Sequence, residues 1–253
     1  MRIPLRFSPF LWYAQPMAGH SKWANIKHRK ERADKKKGKL FSRVTKEIIS
    51  AVRQGGPDAK SNAKLKAAIL KAKEVNLPND NIERNIKKAA SGSQGDYSEV
   101  SYELYGYGGV GIIAEGMTDN KNRISSEMRI ATNKCGGTIA SPGSVSYNFD
   151  RKGLIKVSRK AIEEMPLFEL VTEAGAENFE TEDDSYVITT SMESFIAVKE
   201  ALATSSIPME EAELAMVPKL LVEVSDADAD LNIALIEWLE NLDDIDAVYH
   251  TMK

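Results

Sequence analysis

Between His20 and Lys46 the chain sets rings and cations side by side: His20, Lys22, Trp23, Lys27, His28, Arg29 and Lys30, then Lys35, Lys36, Lys37, Lys39, Arg43 and Lys46. Ammonium and guanidinium groups neutralise phosphate oxygens, and an indole among them offers a π-face to a base or a cation. The combination suits nucleic acid, so these residues form the candidate nucleic-acid-binding set. Trp23 has a second use open to it, as an apolar anchor that pins its segment to the fold.

Other groupings with chemical potential lack their structural context. Gly106, Gly108 and Gly111 have the spacing of a dinucleotide fingerprint, but the loop feeds a strand rather than a helix whose amides would meet a pyrophosphate. A hairpin turn is the expected role. Asp226, Asp228 and Asp230, with Glu237, echo a calcium loop, yet Leu231 stands where the sharp turn needs glycine. These acids are expected to cap a helix and complement its positive end. His20, His28 and His250 have no cysteine or carboxylate at ligand spacing, and Cys135 has no base near it in sequence. Glu163 with Glu164, and Asp243 with Asp244, read as solvated acids. No catalytic residue, metal, cofactor or small-molecule substrate is therefore expected, and the chain reads as a non-enzyme.

The elements that must carry the basic set are helical. Leu40, Val44, Ile48 and Val52 recur every fourth residue beside Phe41 and Ile49, predicting a helix over 29–53 that ends at Gly55, Gly56 and Pro57. A second helix is expected over 61–75, and a third from an Asp80 N-cap with Glu83 in a capping box to about Gly92. Beyond Gly95 the periodicity changes. Strands are expected at Val100–Leu104 and Val110–Met117, a helix over 121–134, strands at Ser144–Phe149 and Leu154–Val157, and a helix over 162–174. Strands near Asn178 and Tyr186, a helix over 193–203 and a strand at Glu211–Met216 follow; a strand at Leu220–Val224, a helix over 229–242 and a strand at Asp246–Thr251 end the chain. The strand-strand-helix order beginning near Glu99 and again near Ser144 suggests a duplicated unit.

The expected fold is α+β and multidomain: an N-terminal three-helix basic domain, then two small α/β sandwich (ferredoxin-like) domains. The domains are placed at 17–92, at 93–140 together with 219–253, and at 141–218 as an insertion. Residues 1–16, with Arg2, Arg6, three prolines and no acid, read as an extension outside the fold, with Met17 as the working start.

Charge divides along the same line. Residues 17–90 hold 20 Lys+Arg against 7 Asp+Glu, and residues 91–253 hold 12 against 30, within an overall net charge of −3. Such asymmetry points to a polyanionic partner for the basic part. The acidic part is either a deterrent to non-specific sticking or a surface for a protein partner. One cysteine allows no internal disulfide and fits a reducing compartment, and no apolar run approaches the roughly 20 residues that cross a bilayer. A cytoplasmic protein without a membrane partner is expected.

Several stretches resemble the YebC/PmpR family: Met17 to Lys30, the Gly38, Lys39 and Phe41 step into the long helix, Asn79 to Lys87, Tyr102 to Gly111, Asp119 to Arg123, Gly136 with Gly137, and the Pro142 to Val145 turn. The resemblance spans Met17 to Met252. It implies a helical domain followed by two α/β domains, in proteins commonly described as DNA-binding transcriptional regulators. It also extends to mitochondrial translational activators of cytochrome c oxidase synthesis and to proteins that help ribosomes through consecutive prolines. DNA and ribosomal RNA both remain expected partners, because both present phosphate to a basic surface. The absence of a readable helix-turn-helix, and of a helix offering Asn, Gln and Arg together to base edges, favours structured RNA. If about 6 to 8 phosphates are neutralised, log affinity should fall against log salt with a slope of about −5 to −7, measured by titration at several salt concentrations.

Overall fold

The computed structural model describes residues 33–92 and 95–253. The first three helices are α1 (Ala33–Gly55), α2 (Ala63–Glu74) and α3 (Asn79–Ala90). Their core joins Val44, Ile48, Ile49 and Val52 of α1 to Leu65, Ala68 and Ala72 of α2 and to Ile82 and Ala89 of α3. The fourth-residue stripe of α1 is thus buried from Val44 onward, whereas Leu40 is 43% exposed. The first turns of α1 run past the three-helix core towards the rest of the molecule. Asn62 ties the bundle together: its Oδ1 accepts from the Leu65 amide at the start of α2, and its Nδ2 donates to Ala51 O and Gly56 O at the end of α1. One buried amide therefore closes two helix ends, satisfying groups that no intrahelical partner reaches.

The capping box expected at Asp80 does not form. Pro78, at φ −57°, stands before the helix, which starts at Asn79 and makes no side-chain cap bond. Asp80 consequently lies within the first turn, where its charge complements the helix dipole instead of capping it.

A first sheet contains β1 (Ser98–Tyr105), β2 (Gly111–Thr118), β3 (Thr138–Ile139) and β8 (Ile245–His250), ordered β3-β1-β2-β8. Helices α4 (Lys121–Cys135) and α7 (Asp226–Asn241) cover one face, burying Leu104, Ile112, Ile124, Met128 and Leu235. A second sheet contains β4 (Phe149–Ser158), β5 (Ala176–Thr181), β6 (Ser185–Thr190) and β7 (Met209–Pro218), ordered β5-β6-β4-β7, with α5 (Glu164–Glu173) and α6 (Phe195–Thr204). Its βαββαβ sequence of elements is the split βαβ plan of ferredoxin-like sandwiches. The first sandwich begins instead with the β1-β2 hairpin, and takes its last strand from the far side of the second.

The sandwiches meet sheet to sheet. Ile113 and Tyr249 of the first pack on Phe149, Leu154, Val187, Ala215 and Val217 of the second. Strand alternation makes this possible, because Ile112 faces the helices while Ile113 faces the other sheet. The α+β multidomain expectation holds.

Four local expectations are corrected or explained. Ser144–Phe149 is not a strand: a 3-10 turn at Ser146–Asn148 leads into the single ten-residue strand β4, so the strand-strand-helix order is not repeated. The reason is Glu103, 8% exposed on β1, whose carboxylate accepts the amides of Gly143 (2.7 Å), Val145 (2.5 Å) and Ser146 (2.9 Å). Amides held by a carboxylate cannot enter a strand ladder. Leu220–Val224 contributes only the bridge of Val222 to Met252. The glycine loop is the expected hairpin turn, pinned on the buried Asn232 of α7, which accepts from Tyr107 N and donates to Tyr107 O. A Cβ at Gly106 would collide with that amide, so close approach accounts for the glycine. The acids near 226 sit in the first turn of α7, capped by Ser225, whose Oγ accepts from Asp228 N. Among the described residues, no helix is long and apolar enough to cross a membrane.

Burial alone would raise the Glu103 carboxyl, but the amides of Gly143, Val145 and Ser146 outweigh it and hold the group below the ordinary glutamate range. A depressed folded-state pKa contributes stability that is present above the ordinary value near ~4.3 and disappears as pH falls through the folded value. Glu103→Gln should lose about 2 kcal/mol at neutral pH. Urea unfolding from pH 7 down to pH 3 should show the gap between wild type and variant closing below about pH 4.

Candidate nucleic-acid interface

Of the candidate set, His20, Lys22, Trp23, Lys27, His28, Arg29 and Lys30 lie outside the described residues. Lys35, Lys36 and Lys37 belong to the first turns of α1. Lys39, Arg43 and Lys46 have a different position. They lie along one side of α1, where it crosses the turn between α7 and β8.

Lys39 Nζ donates to Leu242 O at 3.1 Å and Ile245 O at 2.8 Å, and also to Glu240 O. These carbonyls run from the C-terminal end of α7 to the start of β8, where a cation complements the helix dipole. Lys46, seven residues on, is 7% exposed and donates to Met117 O at 3.1 Å and Asp243 O at 2.7 Å. Asp244 and Asp246 stand 4.0 Å from the same ammonium. Asp244 also accepts from Thr118 Oγ1 at 2.9 Å and from Arg123 Nε and Nη2 at 3.0 and 2.7 Å. Burial pushes the Asp246 carboxyl up, against the pull of Lys46, Arg43 and Lys39. Arg43 pairs with Glu47 at 3.4 Å; burial would lower its pKa, but Asp246 and Glu47 raise it on balance. Gly116 lets β8 come this close, since a Cβ there would strike the Asp244 carbonyl. The three cations therefore join the helical unit to the first sandwich.

The positive charge that remains is carried on α2, α3 and the adjoining loop. Lys60, Lys66, Lys73, Arg84, Lys87 and Lys88 are exposed. Lys64 bonds the Gln54 amide and Lys71 pairs with Glu47, so both remain near the surface of α2. Lysines at this spacing around a short helix can follow a phosphate chain without reading its bases.

Between α1, α3 and the segment leading into β1 lies a groove of about 470 Å³, lined by Gly38, Phe41, Asn81, Arg84, Asn85 and Tyr97 among others. Arg84 Nη2 donates to Asn81 Oδ1 at 2.7 Å, and Asn85 Nδ2 donates to Asn81 O at 2.8 Å. The sequence reading found no helix offering amides and an arginine together. α3 does so, because a start at Asn79 places 81, 84 and 85 on one flank while Ile82 and Ala89 face the core. Their spacing is the signal, and it marks one flank only when the helix begins at Asn79 rather than after an Asp80 cap. Tyr97 connects the groove to the joint: burial, Asp119 and Asp244 raise its phenol, opposed by Arg123. No cluster of three or more metal-ligating side chains occurs among the described residues.

A basic three-helix unit clamped by lysines onto a pair of stacked α/β sandwiches defines a class of multidomain α+β proteins. Comparison with known proteins narrows the class. The TACO1/YebC protein N-terminal domain family matches residues 21–92, and the TACO1/YebC second and third domain family matches residues 97–252. The chain belongs to the TACO1/YebC family. It is 60% identical over 237 residues to a "Probable transcriptional regulatory protein" of Protochlamydia amoebophila, covering 94% of this chain and 97% of that one. A protein of the same name from Chlamydia muridarum is 56% identical over 237 residues, covering 93% of this chain and 100% of that one. The crystal structure of a conserved hypothetical protein, Aq1575, from Aquifex aeolicus superimposes with a TM-score of 0.78 at 40% identity, covering 92% of this chain and 97% of that one.

The joint makes a stability prediction. Lys46→Met would leave two carbonyls and nearby carboxylates without their cation, and should cost about 3 kcal/mol in unfolding free energy. Urea denaturation monitored by tryptophan fluorescence measures it; a loss below about 1 kcal/mol would mean the ammonium contributes no more than an exposed pair.

Proposed function

We propose that this chain is a non-enzymatic regulator of gene expression that holds nucleic acid by phosphate contacts to its helical unit. The observation that carries the reading is the segregation of charge: residues 17–90 hold 20 cations against 7 anions, while the remainder is strongly acidic. Seven exposed or surface-bonded cations on α2 and α3, namely Lys64, Lys66, Lys71, Lys73, Arg84, Lys87 and Lys88, support it further. His20, Lys22, Trp23, Lys27, His28, Arg29, Lys30, Lys35, Lys36 and Lys37 are proposed to contact the same polyanion. Lys39, Arg43 and Lys46 serve it indirectly, by setting where the helical unit sits.

The relatives' name, probable transcriptional regulatory protein, supports a role in transcription and so DNA as the polyanion, with the cytoplasm proposed as the setting. A second reading, ribosomal RNA and a role in translation, is favoured by the groove on α3. Its two asparagines are half-buried beside the groove, and single-stranded loops offer unpaired base edges to such amides.

Reversing Lys35, Lys36 and Lys37 to Glu tests the shared core of both readings. The salt slope should fall by about 3 and affinity at about 150 mM salt by about 100-fold or more, for duplex DNA and ribosomal RNA alike. Unchanged binding would overturn the proposal. Crosslinking in cells, with sequencing of both polymers, separates the readings: promoter DNA supports transcription and ribosomal RNA supports translation.

A further inference from the structure

Gly38 occupies an interior position of the 23-residue helix α1, where glycine is the poorest former after proline. Among the described residues no neighbouring atom explains it: a Cβ built there meets none of their atoms within 4 Å. Glycines in other settings make room for a neighbour, as Gly106 in the hairpin loop does for Asn232 and Gly116 in β2 for the Asp244 carbonyl. The space beside Gly38 opens into the groove of about 470 Å³. That volume lies within the range of sites that enclose small organic ligands.

The walls define the chemistry of an occupant. Phe41 and Tyr97 contribute aromatic rings. Asn81 and Asn85, one helical turn apart and half-buried, use one amide atom each within α3: Asn81 Oδ1 accepts from Arg84, and Asn85 Nδ2 donates to Asn81 O. Asn81 Nδ2 and Asn85 Oδ1 have no hydrogen-bond partner among the described residues. A donor and an acceptor beside the Tyr97 ring complement the edge and one face of a purine or pyrimidine. Arg84, exposed at the rim, is placed for the phosphate that such a base brings with it.

We infer that the groove between α1 and α3 holds one unpaired base of single-stranded RNA, with Gly38 kept free of a side chain so that the base can approach the helix backbone. The inference rests on the proposed nucleic-acid reading and gives it a local site. A base within a duplex has its edge paired and its faces stacked, so duplex binding relies on the lysine surface alone.

The full-length protein, its Gly38→Leu variant and its Asn85→Ala variant are titrated with a fluorescein-labelled single-stranded RNA decamer and with a duplex of equal charge, at several salt concentrations. Leucine is a better helix former than glycine, so an unchanged or higher melting temperature for Gly38→Leu shows that the fold is intact. The expected result is about tenfold weaker binding of the single strand by each variant, with duplex affinity and both salt slopes unchanged. Equal binding by variants and wild type, or equal losses for single strand and duplex, overturns the groove inference alone. Failure of the wild type to retain either polymer at low salt overturns the phosphate reading as well.

Discussion

The arrangement of the molecule depends on two ammonium groups. Lys39 and Lys46 project from one side of α1 onto carbonyls at the end of α7, in the turn that follows it, and on β8 and β2. A helix terminus buried without partners is costly, and so is a buried lysine; each removes the other's penalty. The joint is consequently specific in position as well as favourable. Sliding α1 by a single turn would leave both the cations and the oxygens unpartnered. Asp244 extends the constraint, connecting Lys46 to Arg123 of α4 and to Thr118 at the end of β2.

This division of labour changes the meaning of the positive charge. The basic excess near the front of the chain looks uniform in sequence, but part of it is internal. Lys39, Arg43 and Lys46 orient the helical unit, while the lysines of α2 and α3 remain at the surface. An acidic body beneath a basic cap also restricts where a polyanion can settle, since phosphate is repelled from most of the remaining surface. The groove at α3 lies at the boundary between these two roles, with Gly38 beside Lys39 on α1 and Tyr97 near the Asp244 network.

Much of the architecture was legible from periodicity. The buried stripe Val44, Ile48 and Val52, the hairpin around Gly106–Gly109 and the helix stopped by Gly136 and Gly137 all follow from local rules. What escaped detection depended on partners distant in sequence. Nothing near Lys46 distinguishes it from Lys60, because its carbonyl partner at Asp243 lies 197 residues away. The same holds for Glu103, which prevents a strand at Ser144 by taking its neighbours' amides from across the fold. At the candidate site, the cationic character was apparent. The grouping of Asn81, Arg84 and Asn85 was not, because it required knowing which residue begins α3.

The interrupted first sandwich has a bearing on biosynthesis. Its strand β8 follows the whole second sandwich in sequence, and every carbonyl that Lys39 grips, at Glu240, Leu242 and Ile245, is made after that sandwich. The second sandwich is continuous in sequence and has all its strands by Pro218, so it can assemble while the tail is still being translated. The front helices must wait. Only when the terminus emerges do they gain a fixed orientation, so a prematurely ended polypeptide would carry its cationic head untethered to the body meant to hold it.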